Sequence, residues 1–170
     1  YIGNYEEDGS WNVDEVVAGM DFNNPTEDDY ALIFAELNRA VYAIFSGDGE
    51  YAVGMRGNRD LAEQYDLALV AYEAGQHLTA YDLAGAGFEG TVDEVVGVYN
   101  LVNARPEMYD LYLRYLDAWV AFGGDTIVMF HLAGSWNEVE TFGHMDTILQ
   151  PLDEAHKFRA LLDWLAARPS

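Results

Sequence analysis

The sequence predicts an α/β fold with parallel strands joined by crossover helices. Two observations carry this. Two short apolar runs, "LALVA" from Leu67 and "TIVMF" from Thr126, are continuously apolar rather than alternating. Continuous runs mark parallel strands covered on both faces, whereas antiparallel strands with one wet face alternate. Helix-patterned segments lie before, between and after the two runs, and parallel neighbours need such crossovers.

The elements follow in order. "NPTEDDYALIFAELNRAVYAIF" reads as a helix capped by Thr26, with Glu27, Asp28 and Asp29 in the first turn, where the helix dipole favours negative charge. Its apolar face is Tyr30, Ile33, Phe34, Leu37, Val41 and Ile44, and Gly47 and Gly49 end it. A shorter helix is expected over residues 58–66, then a buried strand over 67–73. "TAYDLAGAGFEG" reads as a glycine-rich loop. "TVDEVVGVYNLVN" opens with the capping-box pair Thr91 and Glu94. "RPEMYDLYLRYLDAWVAF" has Pro106 in its first turn and Gly123-Gly124 beyond its end. Met108, Tyr112, Tyr115 and Trp119 share one face and read as core. A second strand is expected over 125–131, then a loop. A closing helix, "LDEAHKFRALLDWLAA", is expected to pack through Phe158, Leu161, Leu162 and Leu165.

The 170 residues suit a single domain, 1–170, and the apolar half of the composition suffices for a core. There are no cysteines, so neither disulfides nor thiolate metal sites arise. Charge is the extreme feature: 30 acidic residues stand against 8 basic ones, and Lys157 is the only lysine. A net charge of −22 repels nucleic acid and anionic membranes, which excludes both as partners. It fits a solvated acidic coat working in high salt, the ordinary acidity of a secreted protein, or calcium binding. For the last, "SGDGE" is too short for a helix–loop–helix calcium site. No stretch is long and apolar enough to span a bilayer, so membrane insertion is not expected. The opening "YIGNY", without methionine, suggests a mature, processed or partial chain. The expected location is extracellular or at the cell surface, in a salty habitat.

Both predicted strands end in polar chemistry. Glu73 closes the first, with Gln76 and His77 just beyond it, and His131 closes the second. In parallel α/β folds, function collects at the carboxyl ends of strands. Glu73 reads equally well as a solvated or ion-paired strand-end residue.

Several segments resemble a group of bacterial (β/α)8-barrel proteins described as cellulose-binding or glycoside-hydrolase-like. "LVAYEAGQHL" resembles their seventh strand, "RPEMYDLYLRYLDAWVAFGGD" the next helix, "IVMFHLAGSW" the eighth strand and its loop, and "QPLDEAHKFRALLDWL" the closing helix. "YIGNY" resembles the end of the sixth strand. The resemblance implies the C-terminal part of a TIM-type barrel, from strand six to helix eight, within the clan A retaining glycosidases. It places Glu73 at the position of the nucleophile. Tyr72, Gln76, His77, His131 and Trp136 become the implied sugar-binding or orienting residues. Trp136 would stack on sugar or anchor its loop; His131 would bond a hydroxyl or be a satisfied core histidine.

Retaining hydrolysis needs a second carboxylate ~5–5.5 Å from the nucleophile, protonated to serve as acid. In the resembled clan it comes from the fourth strand, after an asparagine, and nothing before Glu73 offers one. The pair Asn137-Glu138 follows Glu73 in the chain and lies in a loop. The loop after the second strand also departs from the resembled pattern. A whole barrel takes ~250 residues, so the expected partners are a carbohydrate and the missing N-terminal half of the barrel. No cofactor and no metal are expected, since His77, His131, His144 and His156 lack paired ligand spacing. A loop site from His131, His144, Glu138 and Glu140 is the one metal arrangement in view. A non-catalytic carbohydrate-binding protein and a structural component of a surface assembly are the competing functions.

Overall fold

The computed structural model describes residues 2–3, 13–80, 91–137 and 141–168. The glycine-rich stretch 81–90 and the pair Glu138 and Glu140 lie outside them. In chain order the elements are β1 (Ile2–Gly3), α1 (Val13–Ala18), α2 (Glu27–Ser46), α3 (Glu50–Gln64), β2 (Ala71–Ala74), β3 (Gln76–His77), α4 (Val92–Ala104), α5 (Glu107–Phe122), β4 (Ile127–Met129) and α6 (His156–Ala166). The fold is a mixed α/β arrangement, mostly helix, with a small parallel sheet component. β1 pairs in parallel with β3, and β2 in parallel with β4. The strand line 71–77 therefore changes partner at Gly75.

The helix ends obey their local chemistry. Thr26 and Thr91 each cap a helix with a reciprocal box, to Asp29 and Glu94. Both carboxyls are held below their ordinary range by bonds to these threonines. α5 ends on Gly123 in the left-handed conformation, φ 99°, which costs glycine nothing. α3 ends as Asp66 turns left-handed at φ 53° and the Leu67 amide donates back to the Ala62 carbonyl at 2.8 Å.

α5 is the spine of the core. Its Met108, Leu111, Tyr112, Tyr115, Leu116, Trp119 and Phe122 are all buried, at the three- and four-residue spacing of one helix face. Phe45 of α2 brings its ring centroid within 5.3 Å of Phe122, 6.0 Å of Tyr115 and 6.4 Å of Trp119. Arg105, between α4 and α5, pairs with Glu27 and Glu107 and lies over the Tyr30 ring at 4.4 Å. That cluster ties the start of α2 to the α4–α5 junction.

Six expectations need correction. The helix expected over 58–66 begins at Glu50, running through Gly54 and Gly57; a Cβ at either would meet nothing within 4 Å. These glycines lie on an open face, so they weaken the helical pattern without breaking it. The first strand lies later than expected, at 71–74 rather than 67–73, and the second is shorter, 127–129. On α2 the buried position is Phe45, while Ile44 is only partly buried.

The strands are also not covered on both faces. Leu69, Ala71, Ile127 and Met129 pack on the core, whereas Val70 is 59 % exposed, Tyr72 78 % and Val128 52 %. That second face is therefore largely exposed, with α3 standing across a cleft from Val70 and Tyr72. Finally, α6 turns a different face inward. Lys157 and Ala160 are buried and Leu161 partly so, while Leu162 and Leu165 are exposed. The inward row runs through the lone lysine, which apolar periodicity could not include.

Trp119 → Ala would remove the indole that α2, α3 and the sheet share in the core. It should lower unfolding stability by roughly 3–5 kcal/mol, read from the urea midpoint by circular dichroism.

Candidate functional site

The candidate site forms where the strand line 71–77 is irregular. Ala71 pairs with Ile127 and Ala74 with Met129. Tyr72 and Glu73 together therefore oppose Val128 alone, which is a β-bulge. A bulge bends its strand and re-aims the side chains it carries. Tyr72 and Glu73 both line a cleft of about 530 Å³ between α3 and the strand, with Met55, Leu61, Tyr65 and Leu69 around them. Glu73 is partly buried there.

Immediately after the bulge, Gly75 adopts φ 138°. A Cβ there would lie 3.3 Å from the Phe130 carbonyl oxygen and 3.5 Å from the Tyr112 hydroxyl. Two tyrosines of α5 support the turn from beneath. The Tyr112 hydroxyl accepts from the Gln76 amide at 3.3 Å, and the Tyr115 hydroxyl bonds the Gly75 backbone. Burial pushes both phenols up, Tyr115 to about 12, so both stay protonated at every ordinary pH.

The remaining expected residues point elsewhere. Gln76 is fully buried. Its Oε1 accepts from the Leu78 amide at 2.7 Å, and its Nε2 donates to Asn103 Oδ1 at 3.1 Å and the Thr141 carbonyl at 2.5 Å. The Asn103 Oδ1 also accepts from Lys157 Nζ at 2.6 Å. Both lone pairs of that oxygen are thereby used. Lys157, 1 % exposed, lies 4.9 Å from the Trp136 ring centroid and reaches the Thr141 carbonyl at 3.4 Å. Burial lowers its ammonium well below the usual lysine range. Trp136 itself is tethered: its Nε1 donates to the Gly143 carbonyl at 3.0 Å and its amide to Asp146 at 3.2 Å.

His77 is partly buried, with its ring 5.1 Å from that of Phe142. His131 follows the cis peptide Phe130–His131, and its ring lies against Gly134, where a Cβ would sit 2.6 Å from Nε2. Its carbonyl accepts from the backbone amide of His144 at 2.9 Å and is 2.6 Å from His144 Nδ1. His144 is 2 % exposed, and burial, with Lys157 beside it, lowers its imidazole to about 4.

The expected residues thus divide. Tyr72 and Glu73 share the cleft. Gln76 and Trp136 meet through Lys157 in the interior, on a network that ties β3, α4, α6 and the loop after β4 together. His131 joins that loop through His144. Asn103, Thr141 and Lys157 were not among the expected site residues, and His144 was considered only as part of a loop metal arrangement. The sequence signal for Lys157 was that it is the single lysine in a chain whose other charges are overwhelmingly acidic. Among the described residues, no group of three His, Cys, Asp or Glu side chains is placed to hold a metal ion. No protein-family model, no curated protein and no solved structure matches this chain.

Gly75 → Ala would force a side chain into a left-handed conformation against the Phe130 carbonyl. Such strain costs about 1–3 kcal/mol, and thermal unfolding of the variant should show a correspondingly lower midpoint.

Proposed function

We propose that this chain is the C-terminal part of a (β/α)8-type barrel and supplies Glu73 as the nucleophile of a retaining glycosidase acting on a polysaccharide or oligosaccharide. The observation that carries the reading is the bulge. It doubles Tyr72 and Glu73 opposite Val128 near the end of a parallel strand, and both line the cleft. A strand end beside a cleft is where parallel α/β folds keep their chemistry. The resemblance of "YEAGQH" to a nucleophile-bearing strand agrees with this.

The partner in this reading is the rest of the barrel. Among the described residues β2 is paired with β4 alone, and the face carrying Val70, Tyr72 and Val128 is largely exposed. Ile2 pairs with Gln76 in parallel. In that register a strand leading into Ile2 would run alongside 71–74, beside the bulge. The acid that protonates the leaving oxygen would come from that upstream half.

The chemistry has two steps. The Glu73 carboxylate attacks the anomeric carbon, the glycosidic bond breaks, and the leaving oxygen takes a proton from the partner acid. Water then cleaves the glycosyl ester, giving its proton back to that acid. His131 and His77 would orient sugar hydroxyls at the strand ends.

Non-catalytic carbohydrate binding is the second reading. It is favoured by the cleft lining, where Glu73 is the only carboxylate among the described residues and Tyr65 and Tyr72 expose their rings. Exposed aromatic faces can stack on sugar rings, whereas the Trp136 ring is covered by Lys157. The acidic surface fits an extracellular or cell-surface place in high salt.

A fluorinated aryl glycoside separates the two. Its leaving group is acidic enough to depart without protonation, so the nucleophile alone can form the glycosyl ester. Mass spectrometry should find one fluorosugar on the peptide containing Glu73, and none in Glu73 → Gln. No labelling across a panel of sugar configurations, with glycan binding lost in Tyr72 → Ala, would leave binding as the function.

Salt gives an independent check on the acidic coat. At about 1 M salt the screening length shrinks to about 3 Å, which relieves the self-repulsion of the −22 charge. The melting temperature should rise from low salt to that concentration.

A further inference from the structure

The chain's only lysine is held against a side-chain amide in the interior. Lys157 of α6 and Asn103 of α4 are both buried, and Lys157 Nζ stands 2.6 Å from Asn103 Oδ1. The neighbours fix which way the amide points. Oδ1 faces two donors, Lys157 Nζ and Gln76 Nε2 at 3.1 Å, while Nδ2 donates to the Tyr99 carbonyl at 2.9 Å. A flipped amide would set donors against donors and oxygen against oxygen. The carbonyl carbon, Cγ, is therefore one C=O bond, about 1.2 Å, beyond the oxygen that the lysine touches.

An amine beside an amide carbonyl is the reactant pair of an amide exchange, and three features favour that exchange in this pair. Burial lowers the affinity of Lys157 for its proton, and the neutral amine is the form that attacks. Gln76 Nε2 is a fixed donor aimed at Oδ1, because Gln76 is fully buried and its Oε1 is tied to the Leu78 amide at 2.7 Å. Such a donor stabilises negative charge as it develops on a carbonyl oxygen. The Thr141 carbonyl, 3.4 Å from Nζ, is a second acceptor, so the amine can stay held while its lone pair turns toward Cγ. Reactants held this close react as one molecule, without the entropy cost of meeting.

We propose that Lys157 and Asn103 join in an intramolecular isopeptide bond linking α6 to α4. The lone pair of Nζ forms a bond to Cγ, and the carbonyl electrons shift onto Oδ1. The tetrahedral adduct collapses as the bond from Cγ to Nδ2 breaks. One proton from Nζ passes to the departing nitrogen, which leaves as ammonia. The exchange is neither an oxidation nor a reduction and needs no co-reactant. It makes permanent a connection between two helices in a chain that has no cysteines to crosslink them. The inference uses none of the cleft residues and is independent of the glycosidase reading.

The test is the intact mass of the purified full chain under denaturing conditions. The linked chain should be lighter than its sequence by one ammonia, about 17 Da. An asparagine that cyclises onto its own backbone loses the same mass, so the lysine must be read as well. A lysine-specific protease should fail to cut the denatured chain after Lys157, and fragment spectra should show a branched peptide joining Asn103 to Lys157. In Asn103 → Ala the cut after Lys157 should return, and Lys157 → Met should carry its full sequence mass. The proposal is overturned if the native chain keeps its full mass after prolonged incubation, if a lighter chain is still cut after Lys157, or if Lys157 stays uncut in Asn103 → Ala. The first two outcomes are read in the native protein, so they hold even where a variant fails to fold.

Discussion

The fold turns on one buried amide. Gln76 sits where the strand line changes partner, and its side chain bonds forward to its own backbone at Leu78 and sideways to Asn103 and Thr141. Through the Asn103 oxygen it also reaches Lys157 on α6. A buried amide whose partners are lost costs about 1–3 kcal/mol for each group left unsatisfied. Every member of this set is at least partly answerable to the others, because Asn103 shares one oxygen between two donors. That sharing fixes where α4, α6 and the loop after β4 must stand relative to the strand end. Buried polar networks are demanding for this reason: fully satisfied they specify one arrangement, and half satisfied they are worse than hydrocarbon. The bulge at Tyr72 and Glu73 and the left-handed turn at Gly75 are positioned just upstream by the same anchorage.

The helices were legible because their signals are local. Thr26, Thr91 and Gly123 act within three or four residues of the ends they define, and the inward face of α5 repeats at helical spacing. The elements that were misjudged depend on distant partners. The apolar run 67–70 carries no strand, since pairing begins where β4 and β1 come alongside, at 71 and 76. α3 hid behind Gly54 and Gly57, which lie on an open face and weaken the helical pattern without ending the helix. The inward face of α6 was misread because a charged residue occupies its centre.

The site was legible in part for the same reason. Glu73, with Gln76 and His77 beyond it, stood out as polar residues at the end of an apolar run, and Tyr72 and Glu73 do reach a common cleft. The bulge that doubles them was not visible, because a register shift is a property of two strands. Gln76 and Trp136 were expected near a ligand, yet their polar atoms bond to the interior. Side-chain chemistry alone does not distinguish a group that waits for a substrate from one that holds the protein together. Asn103 and Thr141, ordinary on the page, became important only through the lysine they receive.

That lysine gives the surface an unusual chemical character. The chain's only lysine is 1 % exposed, so the native surface offers no lysine ε-amine at all. Among side chains, acylating reagents and amine-directed crosslinkers therefore find no primary amine on the folded surface. Lysine modification of this protein is thereby a reporter of structural opening rather than of surface accessibility: the side chain becomes an available nucleophile only in molecules whose interior has come apart.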